Sequence, residues 1–405
     1  MSPWHRTYFS IFFANLITAV GMMSFLPFFP TLLESVGVTD RNELELWSGI
    51  IAGAAPLMAA LMGPVWGSLG DRVGRKAMVL RAIFGITIFV GLLGFARSPV
   101  ELLLLRLCQG TFSGFVPPSI TLVSVQTPRE NQGRVTGSLQ MALPAGMILG
   151  PLVGAALQER YGIQSVFLFV ALASGFAGLM VALFAHEDAS LRDSYERFSP
   201  GAVLGGAWFD LVRMLRQPTI RFAFLALFFV QFGAGAINPL LELAVRDRWT
   251  GDPDGIADAT AYLFSGYAVM GLLTTTGWGW AVDRFGSRRT LFVSSIATGI
   301  ALAAHAGAGF YALLFTARLA HGATSAGSSV SAFGVATTES SYEDRGRAIS
   351  AVFSARALAW ALGSATGGML AALIGLDGLF LAAGAVILIA MLFLRAPRRA
   401  TVAEG

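Results

Sequence analysis

Four charged side chains lie inside long apolar stretches of the sequence, where a charge is costly and usually serves a function. They are Arg106, Arg318, Arg356 and Glu242. A carboxylate in such a place can take up and release a proton, whereas a guanidinium keeps its charge and orients other polar groups. Glu242 is therefore the first candidate for a proton carrier, and Asp71 is the second. Simple pairing of Glu242 with Arg246, four residues on, is an equally open interpretation.

The other reactive residue types exclude several classes of protein. The four histidines are scattered without metal-ligand spacing, and the sequence has no glycine-rich phosphate loop. The single cysteine can close no internal disulfide. No nucleophile and base stand in a recognisable arrangement, so we predict neither an enzyme nor an ATP-driven pump and expect no metal or other cofactor. His321, one turn after Arg318, can exchange protons or serve as a structural hydrogen-bonding group.

These residues belong to a chain with the composition of a membrane protein. Of 405 residues, 55% are hydrophobic and 13% are charged, with a mean hydropathy of +0.66. Soluble domains carry roughly 25% charged residues. Apolar runs of about 20 residues, long enough to cross a bilayer, follow one another almost end to end. They predict an all-α membrane protein with twelve transmembrane helices: 7–29, 46–66, 77–96, 99–124, 135–157, 163–185, 220–245, 258–280, 290–307, 309–334, 348–373 and 377–394.

Basic residues are distributed unevenly over the predicted connections. With the N-terminus in the cytoplasm, roughly 20 of the 28 Lys and Arg lie beside cytoplasmic connections and tails, and about five lie beside outward ones. This bias predicts that both termini face the cytoplasm. It also explains the net charge of +4 without a nucleic-acid partner. The first apolar run lacks a cleavage site before Glu34 and is expected to stay in the protein as a helix.

The longest predicted cytoplasmic connection divides the chain into halves. Residues 186–219 begin polar and become amphipathic around 209–215, which predicts a linker that ends in a short helix on the membrane surface. The halves are then an N-terminal six-helix bundle over 1–185 and a C-terminal six-helix bundle over 220–405.

The two halves repeat each other at a shift of 212 residues. GSLGDRVGRK at 67–76 returns as GWAVDRFGSR at 279–288. Further matched positions are Pro27 with Pro239, Arg106 with Arg318 and, after one inserted residue, Gly150 with Gly363 and Gly154 with Gly367. A single register held over several spans indicates duplication. Two six-helix bundles related by a pseudo-twofold axis along the membrane normal are a known transporter architecture.

The same stretches carry a family resemblance over nearly the whole chain. GSLGDRVGRK resembles the signature of the major facilitator superfamily between its second and third helices, and RLCQGTFSG at 106–114 resembles the fourth-helix signature. GMILGPLVG at 146–154 resembles the fifth-helix signature of drug:proton antiporters, and MSFLPFFPTLLESVGV is similar to the first helix of that branch. LWSGI and GFVPPS are similar to stretches of bacterial multidrug exporters.

The resemblance implies a cytoplasmic gate that holds the bundles together when the cavity opens outward. Its members are Gly67, Asp71, Arg72, Gly74, Arg75 and Lys76, with Asp283 and Arg284 in the second copy. The glycines permit close backbone approach, and Asp71 can accept from the N-terminal amides of a helix in the opposite bundle. The bases can instead serve only to fix topology and to contact anionic lipid.

The resemblance also implies roles for the fourth and fifth helices. Arg106 would couple proton release to substrate binding. Gly146, Gly150 and Gly154, with Pro151 beside them, line one face of the fifth helix. The family pattern implies that this face lies at the seam with the other half and resists proton leakage, although ordinary small-residue packing predicts the same face.

The space between the bundles is the expected substrate cavity. The candidate residues are Asn15, Met22, Met23, Phe25, Gln109, Phe232, Asn238, Arg318 and Arg356. Methionine and aromatic side chains adapt to varied apolar ligands. Three buried bases against one acid tilt the cavity positive, which suits neutral, weakly acidic or zwitterionic amphiphiles better than dications.

Taken with the resemblance, these features predict a monomeric secondary transporter of the bacterial inner membrane. It would exchange protons for hydrophobic or amphiphilic drugs by rocking two bundles about a midplane site. A dedicated exporter or flippase of one endogenous compound, such as a sugar, an amino-acid derivative or a lysolipid, stays open as the alternative. A transport-inactive sensor would be expected to show decayed motifs or an added signalling domain, whereas here the first-half motifs are intact and the tails are short.

Overall fold

The structure, a computed structural model, describes residues 3–187, 200–341 and 343–394, without the side chains of residues 3, 71, 200 and 202. Within these ranges the chain forms helices and no strands. The first half contains α1 (Pro3–Phe25), α2 (Phe29–Ser35), α3 (Arg41–Val73), α4 (Arg75–Leu93), α5 (Pro99–Phe112), α6 (Val116–Gln126), α7 (Gln132–Gln140), α8 (Ala142–Tyr161) and α9 (Ile163–Phe184). The rest contains α10 (Pro200–Leu215), α11 (Pro218–Ile237), α12 (Leu241–Arg248), α13 (Ile256–Phe285), α14 (Ser287–Ala303), α15 (Tyr311–Thr338) and α16 (Arg345–Phe393).

The predicted fold of twelve membrane-spanning helices in two bundles is confirmed. Eight helical stretches among the described residues are long and apolar enough to cross a membrane by length and composition alone. One of them, α16, supplies two spans, because Gly375 has a left-handed φ of 73° and turns the chain between them. The fourth predicted span is split into α5 and α6 at Gly114, whose φ is 101°. The ninth and tenth predicted spans are not among the eight stretches: α14 is only 17 residues long, and α15 is rich in Ser, Thr and Gly.

The duplication appears as repeated contacts at the predicted shift. An indole hydrogen bond to a backbone carbonyl occurs in both halves, from Trp66 to Thr111 at 2.6 Å and from Trp278 to Ala323 at 2.7 Å. Close approaches of a glycine to a backbone carbonyl also occur in equivalent pairs. Gly110 meets Ala55 as Gly322 meets Tyr267, and Gly150 meets Val20 as Gly363 meets Phe232. Gly154 meets Ser24 as Gly367 meets Ala236. Equivalent helices therefore pack in equivalent ways.

The predicted partner of the glycine face on the fifth span was wrong. Gly146, Gly150 and Gly154 pack against backbone and side-chain atoms of α1, which belongs to the same half. The seam with the other half uses a different face of α8, where the Ser265 hydroxyl of α13 donates to the Ile148 carbonyl at 2.7 Å. Residues four apart share a helix face and Ile148 lies two positions away, so one helix serves both contacts.

Among the described residues, close glycine contacts between α3 and α16 lie towards one end of the molecule. We call the end with the 67–76 loop and α10 the linker end, and the end with residues 31–45 and 242–256 the far end. In the half towards the far end, Gly49 of α3 meets the Ser364 carbonyl and Gly368 of α16. Towards the linker end, Gly67 of α3 and Gly346 of α16 have no described neighbour within 4 Å of where a Cβ would lie. The bundles therefore diverge towards the linker end.

Helix α10 lies within the predicted linker. Arg347 of α16 pairs with Asp210 at 3.3 Å, and Arg213 pairs with Asp344 at 3.5 Å, so α10 is tied to the start of α16. Trp208 is 67% exposed. Residues 188–199 of the linker lie outside the described ranges, and the bundle limits of 1–185 and 220–405 stay predictions.

Candidate functional site

A buried carboxylate joins the two bundles at the far end. Glu242 of α12 is 2% exposed. It accepts hydrogen bonds from the Thr31 amide of the other half at 3.3 Å and from the Thr31 hydroxyl. Arg246 donates to Glu242 at 2.6 Å and to the Thr31 hydroxyl at 2.9 Å, and it forms an ion pair with Glu34. We call Thr31, Glu34, Glu242 and Arg246 the far-end latch.

Each of the two chain segments that build the latch follows a break in a helix at a proline. Between α1 and α2 lies a 3₁₀ turn, Leu26–Phe28, that contains Pro27, and between α11 and α12 lies another, Asn238–Leu240, that contains Pro239. Proline has no N–H to continue the helical ladder, so α2 and α12 are re-aimed relative to the helices before them. Glu34 and Arg246 are 212 residues apart and therefore occupy equivalent positions of the two repeats. They meet on the pseudo-twofold axis.

The rim of the far end carries a second ion pair between the bundles. Arg41 of α3 donates to Asp247 of α12 at 2.8 Å and to Glu45 of its own helix at 2.8 Å. The Arg41 and Asp247 side chains are 41% and 44% exposed. Exposed pairs contribute at most about 1 kcal/mol, so this rim pair adds little to the closure.

The first buried arginine is enclosed within the first bundle. Arg106 of α5 is 2% exposed and donates to the Ile51 carbonyl at 3.3 Å and to the Gln109 side chain. Its guanidinium carbon lies 5.6 Å from the Phe25 ring centre. Among the described residues it has no carboxylate partner.

The equivalent arginine of the second half is surrounded by more polar groups. Arg318 of α15 is 1% exposed and donates to the Asn238 side chain at 2.7 Å. Its other terminal nitrogen is 3.1 Å from His321 Nδ1, which matches the Arg106 contact to Gln109 in the first half. The guanidinium carbon lies 4.2 Å from the Tyr267 ring centre, and the His305 ring is 5.8 Å from the His321 ring. We call Asn238, Tyr267, Arg318 and His321 the Arg318 cluster.

The third arginine, Arg356 of α16, is half-buried. Within the described part of the chain, its guanidinium makes no hydrogen bond or ion pair.

The structure separates the other predicted cavity residues into two groups. Asn15, Phe25 and Gln109 are fully buried inside the first bundle, where the Ser119 hydroxyl donates to Asn15 at 3.0 Å. Met22, Met23 and Phe232 are half-buried and keep accessible surface. The buried group supports the bundle interior, and only the second group can contact a ligand in this conformation.

The predicted gate at the linker end makes its described contacts within its own half. Gly74 adopts a left-handed φ of 116°, and the chain then enters α4, whose first amides at Arg75 and Lys76 donate to the Glu187 carboxylate at 2.6 and 3.3 Å. The Lys76 ammonium donates to the carbonyls of Ala182 in α9 and of Ala185, the residue after α9, at 2.8 and 2.7 Å. The gate is therefore tied to the end of α9 while the bundles are apart at this end.

The remaining gate residues lie at the ends of α3 and α13. Gly67 is exposed and Arg72 is half-buried on the last turns of α3, and the side chain of Asp71 lies outside the described residues. In the second copy, Asp283 and Arg284 are exposed at the end of α13. Their role in a gate stays a prediction.

Three functional candidates were missed by the sequence reasoning. Thr31 and Glu34 are 211 and 212 residues from their latch partners, and a single sequence does not record that distance in space. The signal for Glu34 was available in the repeat, since it aligns with the oppositely charged Arg246. Tyr267 aligns with the small Ala55, and this exchange between copies was the available signal for its ring contact with Arg318.

Comparison with known proteins agrees with this geometry. A family model described as Major Facilitator Superfamily matches residues 11–250 and 223–405. The multidrug resistance protein MdtG of Salmonella dublin is 31% identical over 294 residues, which cover 72% of this chain and 70% of that protein. MdtG of Proteus mirabilis strain HI4320 is 28% identical over 290 residues, covering 72% and 70% of the two chains. A solved bacterial homologue of the human lysosomal transporter Spinster, inward-facing and unoccupied, shares the fold with a TM-score of 0.80 at 15% identity, over 97% of this chain and 96% of that one.

Proposed function

Since the chain belongs to the major facilitator superfamily of membrane transporters, we propose that it is a proton-coupled exporter of hydrophobic or amphiphilic drugs. The relatives named multidrug resistance proteins support the class of substrate. Drug and proton would move in opposite directions, and the two bundles would rock about a site between them.

The observation that carries the proposal is the position of Glu242. It is a carboxylate that is 2% exposed and that accepts hydrogen bonds across the seam between the bundles. Protonation removes its charge and weakens its bonds to Thr31 and Arg246, because charge-assisted hydrogen bonds are about twice as strong as neutral ones. Binding of a proton at Glu242 is thereby linked to separation of the bundles at the far end. Asp71 is the second candidate carrier, and Arg106 and His321 are further candidates for coupling.

We assign the linker end to the cytoplasm. The excess of basic residues on the connections at that end supports this orientation, with both termini inside. The far-end latch then closes the periplasmic side of an inner-membrane protein, and the diverging bundles open towards the cytoplasm, from which a drug would enter.

The test uses the purified full chain in proteoliposomes with an acidic lumen. When a transported drug is added outside, protons leave the lumen in exchange and the lumenal pH rises. We expect several chemically unrelated lipophilic drugs to produce this signal and Glu242→Gln to abolish it. A response to one sugar, amino-acid derivative or lysolipid alone would instead support a dedicated exporter.

A matched variant separates proton carriage from closure of the latch. Glu34 pairs with the same Arg246, but its side chain is 39% exposed. Glu34→Gln should therefore weaken the latch and keep drug-dependent proton release, whereas Glu242→Gln should lose it. If both variants lose proton release equally, Glu242 acts only as a structural part of the latch and the carrier must be sought at Asp71.

A further inference from the structure

We propose that Asn238 and Ser364 are positioning residues for Glu242. Their hydrogen bonds brace the turn between α11 and α12 from inside the second bundle, and they thereby hold the Glu242 carboxylate in place for the far-end latch. This inference rests on the proposed role of Glu242 in closing the far end, and it names the residues through which the second half controls that closure.

The first brace holds the beginning of the turn. Asn238 is the first residue of the 3₁₀ turn Asn238–Leu240, and Glu242 follows four residues later in the first turn of α12. The Asn238 side chain donates to the Ala234 carbonyl of α11 at 2.6 Å and accepts from Arg318 of α15 at 2.7 Å. The hydrogen bond from Arg318 is charge-assisted, and such bonds are about twice as strong as neutral ones. Asn238 therefore fixes the start of the turn to two helices.

The second brace replaces the hydrogen bond that the proline removes. Pro239 has no N–H, so the carbonyl of Gly235, four residues earlier, loses its helical donor. The Ser364 hydroxyl of α16 donates to that carbonyl at 3.1 Å, and Ser364 is fully buried. A buried carbonyl without a donor costs free energy, so this hydrogen bond stabilises the bent course of the chain. Helices α15 and α16 thus each hold the break through one side chain.

The equivalent break of the first half has neither brace among the described residues. Leu26 takes the place of Asn238, and Pro151 takes the place of Ser364. Neither of these side chains can donate or accept a hydrogen bond. Arg106, which corresponds to the arginine of the first brace, donates instead to groups of α3 and of its own helix. The bracing therefore distinguishes the second half, which carries the buried carboxylate of the latch, from the first.

The experiment measures how far closure of the far end depends on the braces. In a Cys108→Ser background, spin labels at Asn42 and Asp254, both exposed at the far end, report the separation of the two halves by pulsed electron–electron double resonance. Asn238→Leu introduces the residue of the first half and removes the first brace, and Ser364→Ala removes the second. We expect each variant to raise the ratio of far-end-open to far-end-closed molecules by about 2- to 13-fold, the equivalent of one hydrogen bond.

Two controls separate positioning from a general loss of stability. Ser331→Ala also removes a fully buried hydroxyl from the second bundle, but that hydroxyl has no hydrogen-bond partner among the described residues, so the distances should stay unchanged. In a Glu242→Gln background, each brace variant should change the ratio by less than about twofold, because the charged group that the braces position is already gone. Thermal unfolding verifies that each variant is folded, and the milder Ser364→Ala carries the test if Asn238→Leu does not fold.

The outcomes distinguish this inference from the proposed export function, because the distance measurement needs neither a drug nor a proton gradient. Unchanged distances in the folded brace variants, or equal shifts with and without the Glu242 carboxylate, would overturn the inference. If the distances stay unchanged while Glu242→Gln abolishes drug-dependent proton release, the export function stands and the positioning role fails. If the brace variants open the far end while Glu242→Gln keeps proton release, the positioning role stands and Glu242 is not the proton carrier.

Discussion

Removing one hydroxyl from the far-end latch should open that end of the protein. Thr31→Val keeps the size and branching of the side chain and keeps the backbone amide that donates to Glu242 at 3.3 Å. It deletes the hydroxyl that donates to Glu242 and accepts from Arg246 at 2.9 Å. The Glu242–Arg246 pair lies within one helix and can form in either conformation. Removal of the Thr31 hydroxyl therefore destabilises only the closed state.

The size of the effect follows from the charge of the acceptor. A hydrogen bond to a charged group contributes about 1.5–3 kcal/mol. Counting only the bond to Glu242, its loss from the closed state raises the ratio of far-end-open to far-end-closed molecules by roughly 10- to 150-fold. A population with about 1% open molecules would then contain roughly 10–60%.

Pulsed electron–electron double resonance measures these populations as peaks in the distribution of distances between two spin labels. In a Cys108→Ser background, spin labels at Asn42 and Asp254 report the separation of the two halves, since both positions are exposed at the far end. Thr31→Val should add or enlarge a population at the longer distance.

A matched control limits the interpretation. Thr316 is exposed, and its hydroxyl donates at 2.8 Å to the Ala312 carbonyl of its own helix. Thr316→Val should therefore leave the distance distribution unchanged. If Thr31→Val also leaves it unchanged, the Thr31–Glu242 bond does not hold the bundles together and the latch is wrongly identified.

Two further predictions concern packing and topology. Gly154→Ala places a methyl group against the Ser24 carbonyl, so α1 and α8 must separate, which costs about 1–3 kcal/mol of unfolding free energy. The Gly154→Ala protein should therefore unfold several degrees lower than Gly137→Ala, whose site has no neighbour within 4 Å. Equal unfolding temperatures would contradict the close approach of α1 and α8. In a Cys108→Ser background, an impermeant maleimide should label Glu159→Cys in intact cells and Gln132→Cys only after permeabilisation. These exposed positions lie at opposite ends of the fifth span. The reverse labelling pattern would refute the orientation.

The helices and their repetition were predictable because they depend on local and periodic properties of the chain. Apolar length set the spans, and the constant shift predicted that Gly150 and Gly363 would make equivalent contacts. The break of the fourth span at Gly114 was not predicted, because the run stays apolar through a residue with a left-handed φ of 101°.

Contacts between elements were less predictable. A helix face rich in glycine indicates that something packs closely there and does not name the partner, so the face of Gly154 was assigned to the wrong half. Burial of Glu242 was inferred from its sequence position, and its pairing with Arg246 followed from their spacing. Its bonds to Thr31 depend on how two bundles meet, which no spacing within one helix records.

The ion pair between Glu34 and Arg246 also bears on how such a protein came to exist. In a dimer of two identical chains, a residue beside the twofold axis faces its own copy. Glutamate would then face glutamate, or arginine would face arginine, and like charges would repel at the point of closure. The pair becomes available only when both copies are joined in one chain and are free to diverge. A homodimeric ancestor would have needed another means of closing its outer side.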